Sequence, residues 1–324
     1  MRNGRKFRPL VTEPTPRCTF ADVTTTRAYI ELHVAVLLYG LTAILGELLT
    51  LSALPLVWWR VGLASISFIP LVLLWRGSFS LSAKLTLPLA GIGCLIALHW
   101  LTFYGSIKLA NASVALICFA TTSLLTSLIE PVVLRRPIDW FDVGLGALVI
   151  PGMLLVVGVI DSGYHAGIAV GLLSAFLAAL FSTLNKRYVE QVRPVDMSAI
   201  QMLAAFIFLS VCWPVLQHVD MGRASFWPST ADWPLLIVLV LGCTTLAYLL
   251  TMRSLQKLSA FASNLGISLE PVYGIILAAV FLDQYEALSG GFYLGALMIF
   301  AAVVAHPILS RRRRHRAAAN SLSA

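Results

Sequence analysis

Residues 108–116 read "KLANASVAL" and residues 257–265 read "KLSAFASNL". The offset is 149, and it holds without a gap from His99 to Ile150. It lays Lys108 on Lys257 and "LGALVI" (145–150) on "LGALMI" (294–299). The loop "RRPIDW" then falls on the loop "QYEALS". The earlier parts of the two halves match at an offset of 139, which puts Pro55 on Pro194. The chain is a duplication.

Each half holds five apolar runs. A hydrocarbon core of about 30 Å takes about 20 apolar residues per helix. Ten runs qualify: 30–50, 54–75, 86–106, 112–131, 141–160, 167–187, 197–217, 232–252, 258–281 and 289–309. Composition agrees, since 59% of the 324 residues are hydrophobic and only 12% are charged. A soluble chain of this length needs more charge to cover its surface. The expected fold is an all-α integral membrane protein of ten transmembrane helices. Five is odd, so the second half enters the bilayer the other way up. That is an inverted-topology repeat, the arrangement that supports alternating access around a midplane site.

The basic residues test the count. With the N-terminus inside, all but Arg60, Lys108 and Arg223 of the 23 Lys and Arg fall in inner loops and tails. One missed helix would invert every later loop and destroy that bias. The expected organisation is a basic tail (1–28), a first repeat (29–162), a second repeat (163–310) and a basic tail (311–324). Both tails read as disordered and cytoplasmic, and the first lacks the apolar core of a signal peptide. The net charge of +8 comes from these tails and short loops, not from a folded basic face. Nucleic acid is therefore not an expected partner. Of the five cysteines, four lie in apolar runs and none forms CxxC, so they read as small core residues.

Four longer stretches carry a resemblance. "YGLTAILGELLTLSALPLVWWRVGLASISF" (39–68), "HWLTFYGSIKLANASVAL" (99–116), "LGALVIPGMLLVVG" (145–158) and "LGALMIFAAVVA" (294–305) are similar to the EamA branch of the drug/metabolite transporter superfamily. The resemblance covers about residues 30–310. It implies a carrier of the bacterial inner membrane, often an exporter of amino acids or other small metabolites, with no cofactor. The implied partners are the lipid bilayer and a small-molecule substrate, with a homodimer left open.

Polar residues inside the bilayer need a reason, because each costs a few kcal/mol. Glu-Pro-Val occurs twice, in "TSLIEPVVLRR" (126–136) and "ISLEPVYGII" (267–276). Glu270 lies about 18 Å into span 9, near the midplane, at ~1.5 Å per residue. Pro271 removes a backbone hydrogen bond there and predicts a kink. Glu270 reads either as a substrate-amine or proton site, or as a buried carboxylate satisfied by a neighbour. Glu130 lies about 20 residues into span 4, which places it at the inner water interface beside Arg135 and Arg136. The repeat at 149 pairs Glu270 with Thr121 and His99 with Tyr248. His99 with Trp100, and Tyr248, are expected to converge on one cavity with Glu270. His99 also has the plainer reading of a packed, satisfied histidine. Glu47 and Arg60 lie near the outer ends of spans 1 and 2 and read as an ion pair or an outer gate. Asn111, Asn185 and Asn264 suit helix-to-helix hydrogen bonds. Gly40, Gly46, Gly144, Gly146, Gly291 and Gly295 suit close helix packing.

Three function classes follow. A secondary carrier is the leading one, and no Walker A motif, HExxH or GxSxG points to an enzyme instead. A lipid-modifying enzyme needs catalytic ligands at one interface; Glu130, Asp139 and Asp142 lie there, but with arginines among them. A scaffold or sensor predicts no solute-dependent stability and no flux.

Overall fold

The computed structural model describes residues 24–74, 82–157, 163–218, 225–282 and 289–322. The first repeat forms α1 (Thr25–Leu48), α2 (Ala53–Leu74), α3 (Ala83–Leu109), α4 (Ala112–Leu134) and α5 (Trp140–Val157). The second forms α6 (His165–Tyr188) and α7 (Pro194–Leu216), then two interrupted spans. The first of these is α8 (Asp232–Val240), a π-helical stretch (Leu241–Leu246) and α9 (Ala247–Leu255). The second is α10 (Ala260–Ile267) and α11 (Glu270–Leu282), and α12 (Gly290–Leu322) closes the chain. Among the described residues these make ten candidate membrane spans and no strand.

Local chemistry sets the ends. The Thr24 side chain accepts from Arg27 N and starts α1 at Thr25. Asn111 does the same for α4 through Val114 N (2.9 Å), so it is a cap rather than a helix-to-helix tie. Pro271 cannot donate to the carbonyl of Ile267, and the ninth span breaks at Ser268 and Leu269. The sequence reading makes 311–324 a disordered tail. Instead α12 runs on to Leu322, because the Arg- and Ala-rich segment is built of strong helix formers. Residues 1–23 of the first tail lie outside the described residues.

The packing repeats itself between the halves. α6 packs on α3 and α4; α1 packs in the same way on α9 and α11. α2 meets its repeat counterpart α7, and α5 meets α12. Two apolar clusters flank the middle. One joins α2, α3, α7 and the eighth span through residues such as Phe68, Ile96, Met202 and Leu239. The other joins the start of α1 to α5, α10 and α12 through Leu32, Met153, Phe261 and Ile299. Large apolar side chains also cover the outside, among them Leu74, Leu87, Val211 and Leu297. A lipid-facing surface carries no penalty for them.

Glycines set the closest helix approaches. A Cβ on Gly40 of α1 would stand 2.9 Å from Gly274 N and 3.2 Å from Glu270 O of α11. Only hydrogen at both positions lets α1 lie against the turn that begins with Glu270. Gly144 departs from the sequence reading, since it faces open space rather than a neighbouring helix.

Candidate functional site

A cavity lies between the halves, at the meeting of α1, α2, α3, α4, α6, α9, α10 and α11. Its empty space is about 780 Å³, open solvent included. Glu270, Arg60, His99, Trp100 and Tyr248 all line it, with Tyr39, Thr42, Ser182 and Asn264. Phe103, Phe119 and Phe181 supply aromatic walls. Thr121 is not among the lining side chains, and its hydroxyl donates to Cys118 O on its own helix (2.6 Å).

Arg60 sits much deeper than the sequence reading places it. It is 1% exposed and belongs to the cavity, not to an outer rim. Its Nε donates to Thr244 Oγ1 (2.7 Å), Nη1 to Tyr104 OH (3.0 Å) and Nη2 to Cys243 O (3.4 Å). The guanidinium also lies 4.0 Å over the ring of Trp100. Two of these partners come from the π-helical stretch. Thr244 Oγ1 donates to Leu239 O, five residues back (2.7 Å), so its lone pairs are left for Arg60. Such π-turns recur at functional sites. The matching part of α3 is regular helix, and no feature of the sequence "LGCTTL" announces the difference. The side chain of Glu47, the expected partner of Arg60, lies outside the described residues.

Glu270 faces the same cavity and is 6% exposed. Among the described residues, nothing lies within hydrogen-bond reach of its carboxylate. A guanidinium has five N–H groups, and three of those on Arg60 are used. Among the described residues, the cavity therefore offers a fixed cation with two N–H groups unused and a carboxylate with no hydrogen-bond partner.

His99, Tyr248 and Asn264 are satisfied. The Ser174 hydroxyl donates to His99 O (3.1 Å). His99 Nδ1 lies 3.0 Å from Ser174 O, to which it donates, and its ring packs against Phe103, Phe119 and Phe181. Tyr248 OH donates to Gln201 Oε1 (2.6 Å), Gln201 Nε2 to Asn185 Oδ1 (2.7 Å) and Asn185 Nδ2 to Tyr248 OH (3.0 Å). This closed ring joins α6, α7 and α9. Asn264 Nδ2 reaches Thr126 Oγ1 and Ser182 Oγ, both at 2.7 Å, and joins α10 to α4 and α6.

Glu130 requires a correction. It pairs with Arg136 beside a crevice, but it is fully buried rather than surface-exposed. Its oxygens accept from Ala260 N (3.1 Å) and Phe261 N (2.8 Å), and Arg136 pairs with it at 2.9 Å. The polypeptide beyond α9 folds over it, which depth along α4 alone does not reveal. The nearby acids lie beside basic side chains. Asp139 meets Arg313 (2.8 Å) and Asp142 lies 3.5 Å from His306. Burial pushes the Asp139 carboxyl up, but hydrogen bonds from Arg313 and Phe141 N outweigh it and hold the group below its ordinary value. Arg136, Asp139, Asp142, His306 and Arg313 surround a crevice on the membrane face where α1 begins.

A family model described as the EamA-like transporter family matches residues 26–158 and again 165–305. The chain belongs to that family. It is a multi-pass membrane protein of the drug/metabolite transporter type, and each family match covers five of its spans. No curated protein matches it. A solved structure described only as "Crystal structure of protein" is similar, with TM-score 0.72 at 17% identity. The similarity covers 89% of this chain and 99% of that one, and it shows the shared fold. The two EamA-like repeats are alike in backbone and unlike in charge. Glu270 has Thr121 as its repeat partner and Arg60 has Ala199, so the second repeat supplies the cavity's anion and the first its cation.

Proposed function

We propose that this chain is a secondary carrier for a zwitterionic amino acid, working as an exporter in a bacterial inner membrane with both termini in the cytoplasm. One observation carries the reading: Arg60 and Glu270 line a single cavity, and among the described residues Glu270 has no hydrogen-bond partner and Arg60 keeps two N–H groups unused. Arg60 takes the substrate carboxylate, where a planar fork is the geometry of choice. Glu270 takes the ammonium. Trp100, Phe103, Phe119 and Phe181 receive an apolar or aromatic side chain. His99 and Tyr248 hold the walls through their own hydrogen bonds.

Rocking of the repeats opens the cavity to one face and then the other. When substrate leaves, Glu270 is left buried without a partner, and a proton neutralises it for the return. Export of substrate is thereby exchanged for a proton. The orientation and direction are supported by the basic bias of the inner loops and by the family resemblance.

The test uses purified full-length protein and three probes: phenylalanine, phenethylamine and 3-phenylpropionate. Phenylalanine raises the thermal midpoint and is transported in proteoliposomes, whereas the two one-charge analogues bind at least about 100-fold more weakly. Equal stabilisation by all three would sink the zwitterion assignment.

A further inference from the structure

We infer that α10 is a movable wall between the cavity and the face where α1 begins, and that Glu130 is its latch. This rests on the carrier reading above. α10 has eight residues and is cut from α11 at Ser268 and Leu269. It turns Ser263, Asn264 and Ile267 toward the cavity. Its beginning, Ser259 and Phe261, lines the crevice on the other side. Two turns of helix therefore stand between the cavity and a space of about 1380 Å³, open solvent included, into which they can swing.

Beside the apolar packing of Phe261, Ala262 and Leu265, the polar fastenings of this wall are few and unequal. At mid-length Asn264 makes its two neutral bonds to Thr126 and Ser182. At the start, both oxygens of Glu130 hold the first N–H groups of the helix, and Arg136 reinforces them. A charged acceptor on helix N–H groups is about twice as strong as a neutral one and gains from the helix dipole. Ser263 Oγ, on the cavity side, is buried without a hydrogen-bond partner, a group that gains one when the wall moves and water enters. Glu130 touches no substrate. It is a positioning residue that acts through α10 on the cavity and on the break before Glu270.

The experiment reads the wall itself, without substrate or flux. Ser263→Cys is placed in a full-length, otherwise cysteine-free chain in oriented vesicles. A membrane-impermeant maleimide is added at the face where α1 begins. Glu130→Gln is expected to raise the labelling rate at least about tenfold, the scale of losing charge-assisted hydrogen bonds. Arg136→Gln keeps both N–H bonds and is expected to give a smaller increase. Parental labelling in a folded Glu130→Gln protein overturns the inference and leaves Glu130 a static cap. Should Glu130→Gln fail to fold, Arg136→Gln decides, and a parental rate there overturns the inference equally. Faster labelling in a protein that no amino acid stabilises keeps the wall and removes the substrate assignment.

Discussion

Glu130 and Glu270 stand on the same Glu-Pro-Val tripeptide, and both are buried, at 0% and 6% exposure. Glu130 has three partners within 3.1 Å, two backbone N–H groups and Arg136. Glu270 has none among the described residues and opens onto a cavity. A buried carboxylate is tolerated when its lone pairs are filled and is expensive when they are not. The difference separates a fastening from a binding group more clearly than the shared sequence unites them. Glu130 completes the structure of the chain alone. Under the carrier proposal, Glu270 is completed by substrate or by a proton.

The largest expected effect breaks that contrast at the site. Glu270→Gln should abolish measurable transport and weaken phenylalanine binding at least about 100-fold while leaving the unliganded thermal midpoint unchanged or higher, because it removes an uncompensated charge. A clear fall in the unliganded midpoint would place Glu270 with Glu130 as a structural group. Next comes Glu130→Ala, expected to cost about 2–3 kcal/mol of stability by stranding two buried N–H groups. Chemical denaturation of the detergent-solubilised protein measures it, and a neutral result would erase the contrast.

A third change sharpens the cation side. Thr244→Val should weaken phenylalanine binding about tenfold by leaving Arg60 Nε without its acceptor, and Thr244→Ser should restore it. Equal loss in both variants would mean that the methyl packing, not the hydroxyl, matters. Tyr248→Phe opens the ring with Asn185 and Gln201 and should cost about 1 kcal/mol of stability with little change in binding. The smallest effect is at the surface. Asp139→Asn should cost at most about 0.5 kcal/mol, since the pair with Arg313 is half exposed. The Asp139 carboxyl is held below its ordinary value, so its contribution is present above the unfolded-state value. It fades as pH falls through the folded one, and the wild type and variant should converge in acid.

Much of the fold was legible in the chain itself. Ten apolar runs, the basic bias of alternate loops and the ungapped repeat from His99 to Ile150 dictate span number and inversion, because the bilayer permits few alternatives. The break beside Pro271 follows from a missing N–H. The convergence of His99, Trp100, Tyr248 and Glu270 agrees with their expected positions along spans 3, 8 and 9, whereas the repeat partner Thr121 lies apart. Other features depend on residues distant in sequence. Arg60 reaches the cavity because a π-helical stretch some 180 residues later turns Thr244 and Cys243 O toward it. Glu130 is buried because α10 folds its first N–H groups onto it. Apolar periodicity and residue counting locate a side chain along its own helix. Whether a buried carboxylate is filled or left open depends on what other helices bring to it, and that only the tertiary structure decides.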